Sequence, residues 1–419
     1  MSAVPAVLIL QGPLGPLYGQ IAGHLMDAGG RVQRVQFSGN DVADWPHAGA
    51  LDFDGTLADW PGFLDDRITP MGLNAVLLHG DRRPYHKAAI AWARAHGVAV
   101  WVTELGYLRP DWMILEQDGT AALSRFAQDP GTIRAIAARH KPVDFTPRWQ
   151  DRTWPLIRDE IRFTFFNALG RRRFPHYQSH RSQPPAQVYT GWLAGRLGQR
   201  FRQSPDLPDH PRFVFALQLE GDFQLRDHAP FPDLGAAVAH VVASFAAHAP
   251  GDAVLVLKPH PHEFARTRLM ACIEEIRTRH GLGARLQVIE DRPIGALCQG
   301  ALGFVTINSS AGMDALAAGC PVHTVMPTIY DVPGLTHQGG LDAFWAEARA
   351  PDVALLGDFR RALAGEVQVR GTIYHPAGCR AAAEAMATRI MAAPDAGTET
   401  HPDLPPRLGK AAAMGVHYD

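Results

Sequence analysis

The sequence predicts an α/β protein of two Rossmann-like, doubly wound parallel-sheet domains. Three observations predict it. Short, almost wholly apolar runs such as Ala6–Leu10, Ala75–His79 and Ala253–Lys258 read as strands covered on both faces. Such strands lead into loops bearing Gly or Pro, then helical stretches, then further strands. The pattern recurs in both halves of a 419-residue chain, too long for one ordinary core.

Taken in order, strand Ala6–Leu10 leads through Gln11-Gly-Pro-Leu-Gly-Pro16 into a helix to about Ala28. Gly29-Gly30 closes that helix, and Arg31–Phe37 resumes a strand. Strand Ala75–His79 leads through Gly80-Asp-Arg-Arg-Pro-Tyr-His86 into a helix to Ala95. Gly97 ends it before strand Val98–Thr103. The second half offers strand Arg212–Leu219, helix Leu234–Ala247, strand Ala253–Lys258, helix Glu263–His280, strand Arg285–Ile289 and strand Leu302–Ile307. Helix Ser310–Ala318 follows, stopped by Gly319 and Pro321. The domains are therefore expected at 1–185 and 186–392, with 393–419 a flexible tail rich in Pro, Gly and Ala. Two such halves predict a ligand cleft at the carboxyl ends of both sheets.

Composition narrows the function. At 46% hydrophobic, 20% charged and a net charge of −2, nothing points to nucleic acid as a partner. The four cysteines are far apart and read as reduced thiols of a cytoplasmic protein. Val4–Leu10 lacks the basic flank and cleavage site of a signal peptide, and no uncharged run is apolar enough to span a bilayer. Trp154–Leu169 reads as an amphipathic helix, followed by Arg171-Arg-Arg-Phe-Pro-His-Tyr-Gln-Ser-His-Arg181. That run is either a solvated interdomain linker or a basic, aromatic patch for anionic lipid head groups.

Asp52-Phe-Asp-Gly-Thr-Leu57 matches the D-x-D-G-T-[LV] signature of haloacid-dehalogenase-type phosphatases. That chemistry needs the first Asp at the end of a buried strand. Ala43-Asp-Trp-Pro-His-Ala-Gly49, just before it, does not predict a central strand. The match is read as coincidence.

Three loops of the second half carry better chemistry. Alternation along Gln218-Leu-Glu-Gly-Asp-Phe-Gln224 puts Gln218, Glu220, Asp222 and Gln224 on one side. Two carboxylates there can divide labour as nucleophile or base and electrostatic partner; solvated capping acids are the plainer reading. In Lys258-Pro-His-Pro-His262 the prolines stiffen the turn and restrict His260, which can bond a phosphate. Asn308-Ser309-Ser310-Ala-Gly312 opens a helix, where hydroxyls cap and free N–H groups bind anions. No His/Asp cluster has ligand spacing, so no metal is expected.

An acid, a Lys-Pro-His-Pro turn and a Ser-Ser helix start in that order resemble the motifs of bacterial CMP-sialic acid transferases. With His228, Ile329-Tyr-Asp-Val-Pro-Gly-Leu-Thr336, Leu10-Gln-Gly-Pro13, the 80–86 loop and Glu104-Leu-Gly-Tyr-Leu-Arg-Pro-Asp-Trp112, the chain resembles the KpsS/LipB-type capsule polysaccharide biosynthesis family from about residue 5 to 390. The resemblance implies a GT-B-like fold, two Rossmann-like domains facing a central cleft. It implies a β-Kdo glycosyltransferase that takes Kdo from CMP-Kdo to a phosphatidylglycerol-type lipid acceptor, with no cofactor beyond that donor. The site would be cytoplasmic, with peripheral contact to the inner membrane and with capsule assembly proteins as further partners. Asp222 matches the catalytic acid, with Glu220 beside it; Gly221, where relatives often carry a polar residue, leaves open which leads. His260, Ser309 and Ser310 match contacts to the CMP phosphate, and Gln218, Lys258, Asn308 and Tyr330 join them as donor-site residues.

Acceptor candidates lie in the first half: Gln11, Gly12, Asp81, Arg82, Arg83, Glu104 and Tyr107. Arg82 and Arg83 either bind an acceptor phosphate or form surface salt bridges. Two other functions fit the same architecture: transfer from another nucleotide sugar, or a non-catalytic accessory role in capsule export.

Overall fold

The computed structural model describes residues 4–150, 153–179, 206–207, 209–219, 229–260, 266–392, 402, 404–416 and 418. These fall into two compact units, within Met1–Phe126, Ile136–His180 and Arg360–Pro405 for the first and within Ala127–Ala135, Arg181–Phe359 and Pro406–Asp419 for the second.

Strands numbered in chain order build the first sheet from β1 (Ala6–Ile9), β2 (Arg31–Gln36), β3 (Leu51–Asp52), β4 (Ala75–His79), β5 (Ala99–Leu105), β6 (Trp112–Gln117) and β12 (Gln368–Arg370). Their order is β12-β6-β5-β4-β1-β2-β3. The run β3-β2-β1-β4-β5 is parallel, whereas β6 and β12 are antiparallel additions. Alternate residues of β1 feed opposite faces: Ala6 and Leu8 pack with Phe37, Trp60 and Tyr85, while Val7 and Ile9 pack with helix Leu17–Asp27 and helix Pro376–Ala392. Val7, Leu8 and Ile9 are fully buried, and each contributes about 1.5–3 kcal/mol of burial free energy.

The second sheet holds β7 (Arg212–Ala216), β8 (Val254–Lys258), β9 (Leu286–Val288), β10 (Gly303–Thr306) and β11 (Val322–Thr324), ordered β11-β10-β7-β8-β9. All four pairings are parallel. Numbered within its own unit, each sheet contains the Rossmann order 3-2-1-4-5, so the expected class of two doubly wound parallel sheets is present. In that order the switch point lies between the first and fourth strands, where crossovers leave in opposite directions and ligand loops collect.

Three features depart from the sequence expectation. Residues 360–392, inside the span expected for the second domain, pack with the first unit, because β12 pairs with β6 and Cys379, Ala383 and Met386 enter the first core. The expected flexible tail is corrected for its end. Helix Leu408–Ala413 buries Ala411 in the second core, and Arg407, wholly buried, donates to Ile329 O at 2.7 Å. The linker is also docked as far as Tyr177: Phe174 is buried, Tyr177 stacks on Tyr85, and Arg173 forms a two-point ion pair with Asp52. Asp52 lies in the two-residue edge strand β3, not a central strand, so the phosphatase-like match lacks its structural context.

Candidate functional site

The second unit assembles its site by register. Ala216 of β7 stands opposite both Thr306 of β10 and Lys258 of β8. Gln218, Asn308 and His260 each come two residues beyond one member of that row. Neighbouring strands lie about 4.8 Å apart, so the three residues leave one short stretch of sheet edge, on both sides of the switch point. Gln218 and Asn308 are buried, and Gln218 Nε2 donates to Asn308 Oδ1 at 2.8 Å. That bond closes the gap between the two loops and fixes both amide orientations. The other oxygen-bearing end, Gln218 Oε1, is buried without a protein donor among the described residues. His260 is half-buried on the neighbouring strand end.

The two serines have different tasks. Ser309 Oγ accepts from Ala311 N at 3.2 Å, and Ser309 N donates to Thr306 Oγ1 at 3.2 Å. Ser310 occupies the cap position of helix Ala311–Ala317 with helical φ and makes no capping bond. Tyr330, expected at the donor, is buried beneath this turn, and its hydroxyl donates to Ser309 O. Burial pushes its phenol pKa up, so it stays a neutral donor. Gly312 makes room for that ring: a Cβ there would lie 2.3 Å from Tyr330 Oη. Lys258 is buried, and its ammonium donates to Glu290 O at 2.5 Å. Desolvation lowers its pKa, opposed by Glu290.

Behind Tyr330, the loop is anchored from the chain end. Asp331 is fully buried and accepts from Lys410 Nζ at 2.6 Å and Thr336 Oγ1 at 2.9 Å. No motif or periodicity marks Lys410 as this partner. Glu220, Gly221, Asp222, Gln224, His228 and His262 lie outside the described residues.

In the first unit, candidates separate into two groups. Gln11, Arg83 and Glu104 gather at the carboxyl ends of β1, β4 and β5. Gln11 Nε2 donates to Asp41 Oδ2 at 3.0 Å and Tyr177 Oη at 3.2 Å; Arg83 donates to Gly12 O at 3.1 Å. Thr103 Oγ1 bridges Tyr18 Oη at 2.8 Å and His79 Nδ1 at 2.9 Å, and His79 Nε2 lies 3.9 Å from Glu104 Oε2. Burial, then Arg83, depresses the His79 pKa well below its ordinary value, so that contact is polar and not ionic. Gly80 must be glycine here: its φ is +74°, and a Cβ would lie 3.0 Å from Glu104 Oε1. Arg82 is half-buried in the same loop.

Asp81 and Tyr107 form the other group. Asp81 Oδ2 accepts from Thr120 N at 3.0 Å, while Tyr107 Oη donates to Glu116 at 3.2 Å and accepts from Ala121 N at 2.8 Å. Burial raises both their pKa values. Both side chains brace the turn after β6.

The family model described as capsule polysaccharide biosynthesis protein matches residues 74–374. The chain belongs to that family. It is 31% identical over 376 residues to the capsule polysaccharide export protein KpsS of Escherichia coli, covering 88% of this chain and 96% of the relative. It is 29% identical over 390 residues to the capsule polysaccharide modification protein LipB of Neisseria meningitidis serogroup A, covering 88% and 91%. Among solved structures, Thermosulfurimonas dismutans KpsC, beta Kdo 2,7 transferase, aligns at 14% identity and a TM-score of 0.44, over 93% of this chain and 99% of that one. The capsule-family match spans the Gly80 loop, the Gln218–Asn308 pair, His260 and the Tyr330 loop; Gln11 and Lys410 fall outside it. No helix among the described residues is long and apolar enough to cross a membrane.

Proposed function

We propose that this capsule-family chain is a β-Kdo glycosyltransferase, moving Kdo from CMP-Kdo to a phosphatidylglycerol-type lipid during capsule linker synthesis. The observation that carries the reading is the in-register row of Gln218, His260 and Asn308 at the second sheet's switch point, with Ser309 one residue beyond. Such an edge offers an imidazole, amides and hydroxyls to a nucleotide phosphate. The resemblance of the sequence blocks supports the choice of CMP-Kdo.

The anomeric carbon of CMP-Kdo is tertiary and bears a carboxylate, so departure of CMP builds positive charge on the sugar and negative charge on the phosphate. His260 and the hydroxyls and N–H groups of Ser309 and Ser310 hold the phosphate charge. Preorganised donors of this kind are worth about 3–4 kcal/mol each. The Asp222 carboxylate attacks the anomeric carbon as the bond to CMP breaks. The acceptor hydroxyl then displaces the carboxylate, giving its proton to a base, with retention of configuration. Tyr330 acts one step back, by fixing the Ser309 carbonyl.

CMP release with CMP-Kdo and a soluble glycoside acceptor tests this. Asp222→Asn is expected to lose about 10³-fold or more in turnover, and His260→Ala about 10²–10³-fold. Undiminished release by both variants removes the assigned roles. The export name of the Escherichia coli relative favours an accessory protein as a second reading; failure of the wild type to bind any cytidine nucleotide would select it.

A further inference from the structure

Helix Thr153–Leu169 ties polar residues to the protein beside buried Phe163 and leaves several large apolar side chains facing solvent. Its inward residues are tied to the first unit. Asp159 is buried against Gly15, Asn167 Oδ1 accepts from Asn40 N at 2.9 Å, and Arg162 donates to Asp44 and the Ala43 carbonyl at 3.3 Å each. Gly39 lies directly on the Phe166 carbonyl, which fixes the helix close to the body of the unit. The outer face is the reverse of a solvated surface. Trp154, Ile161, Phe165 and Leu169 are 68%, 52%, 61% and 70% exposed. Their spacing of seven, four and four residues places them in one stripe along the helix.

A soluble helix ordinarily shows the opposite arrangement, so this stripe has an occupant to meet. The charge around it selects which. Arg171 and Arg172 are exposed just beyond the helix end, while Arg158 and Arg173 are exposed but paired with Asp159 and Asp52. The acidic residues between Trp154 and Arg173 are buried Asp159 and half-buried Glu160. An apolar stripe with an aromatic at one end and arginines beside it matches an anionic bilayer surface. A second copy of the chain fits less well. The helix is about 25 Å long and its stripe about 10 Å wide, roughly 250 Å², against about 800 Å² per partner in a stable dimer.

We propose that helix Thr153–Leu169 lies in the headgroup layer of an anionic membrane. Trp154, Ile161, Phe165 and Leu169 enter the acyl boundary, and Arg171 and Arg172 meet lipid phosphates. The inference deepens the lipid-acceptor reading, because it names the surface that brings the first unit to its acceptor. It assigns the anchoring to the helix, where the sequence pointed to the basic run after it. Two weak signals acting together, apolar insertion and basic attraction, give stable but reversible attachment.

The test is flotation of the full chain with vesicles of phosphatidylcholine containing about 30% phosphatidylglycerol, without sugar donor. The wild type is expected to float. Ile161→Glu with Phe165→Glu is expected to lower partitioning at least about tenfold, with an unchanged melting temperature because both sites are exposed. Arg171→Ala with Arg172→Ala is expected to lower it less, and only at low salt. The emission lost on Trp154→Phe should be blue-shifted by vesicles and quenched by brominated acyl chains. Undiminished flotation of the double glutamate variant overturns the proposal. So does a lipid-free dimer of the wild type that the same variant dissociates. Transfer to a soluble acceptor stays intact in that variant, so failure of the membrane inference is distinct from failure of the donor chemistry.

Discussion

The carboxyl edge of the first sheet carries Arg34, Asp41, His79 and Thr103, and that of the second carries Gln218, His260, Asn308 and Ser309. The strand order beneath is the same. In the first unit the charges close on one another. Arg34 donates to Asp41 at 3.0 Å inside the protein, and Asp41 also accepts from Gln11, Phe37 N and Ser38. In the second, the described loop residues are neutral amides, hydroxyls and an imidazole, and the nearby ammonium of Lys258 is already bonded to Glu290 O. The Arg34–Asp41 cluster spends its charges on itself, which serves stability. Neutral hydrogen-bonding groups at the second edge suit a ligand that carries its own charge. One architecture serves both because the loops, not the sheet, carry the chemistry.

Changes at the Arg34–Asp41 cluster should therefore act on stability, and changes at the second edge on the donor. The largest effect is expected from Asp41→Asn, which leaves buried Arg34 without its counter-charge. About 3–5 kcal/mol of stability is lost, read as a fall in denaturant midpoint, while donor affinity of the folded fraction is unchanged. A shift in donor affinity instead would erase the distinction between the two edges.

A pH effect, comparable only at strongly acid pH and smaller near neutrality, belongs to His86, whose Nδ1 bonds the Gly80 carbonyl at the first edge at 2.8 Å. Burial lowers the His86 pKa to about 3, below its ordinary 6.5. The folded state keeps His86 neutral while the unfolded chain takes up a proton. Its contribution is complete above pH 6.5 and is lost as the pH falls toward 3, by at most about 1.4 kcal/mol per pH unit. His86→Gln should flatten this limb of a stability-against-pH curve; an unaltered slope would show that His86 is not the titrating group.

The smallest effect is expected at the second edge. Tyr330→Phe removes the donor to Ser309 O, at a cost of about 1 kcal/mol, and should raise the donor KM several-fold with a smaller change in kcat. Equal falls in kcat and kcat/KM would move Tyr330 from positioning to the transition state.

The sequence made the switch-point loops legible because they follow continuous apolar strands, where Gln218, His260 and Asn308 announce themselves as polar residues at strand ends. It concealed β12, whose three residues carry no periodicity and whose partner β6 lies some 250 residues earlier in the chain. It also concealed Arg407 and Lys410, set in a Pro- and Ala-rich segment that looks unpacked until Ile329 and Asp331 supply partners. Asp81 and Tyr107 read as acceptor candidates because residue type and loop position are visible in sequence, whereas their bonds to Thr120 N and Ala121 N are not. The two serines look equivalent in sequence; only the folded turn separates Ser309, whose hydroxyl accepts from Ala311 N, from Ser310, which sits at the cap position without a capping bond.

The most direct measurement is the structure of the protein soaked with CMP. The nucleotide is expected at the carboxyl edge of the second sheet, its phosphate within hydrogen-bonding reach of both His260 and the Ser309–Ser310 turn. CMP bound elsewhere, or at that edge with its phosphate turned away from His260, would contradict it.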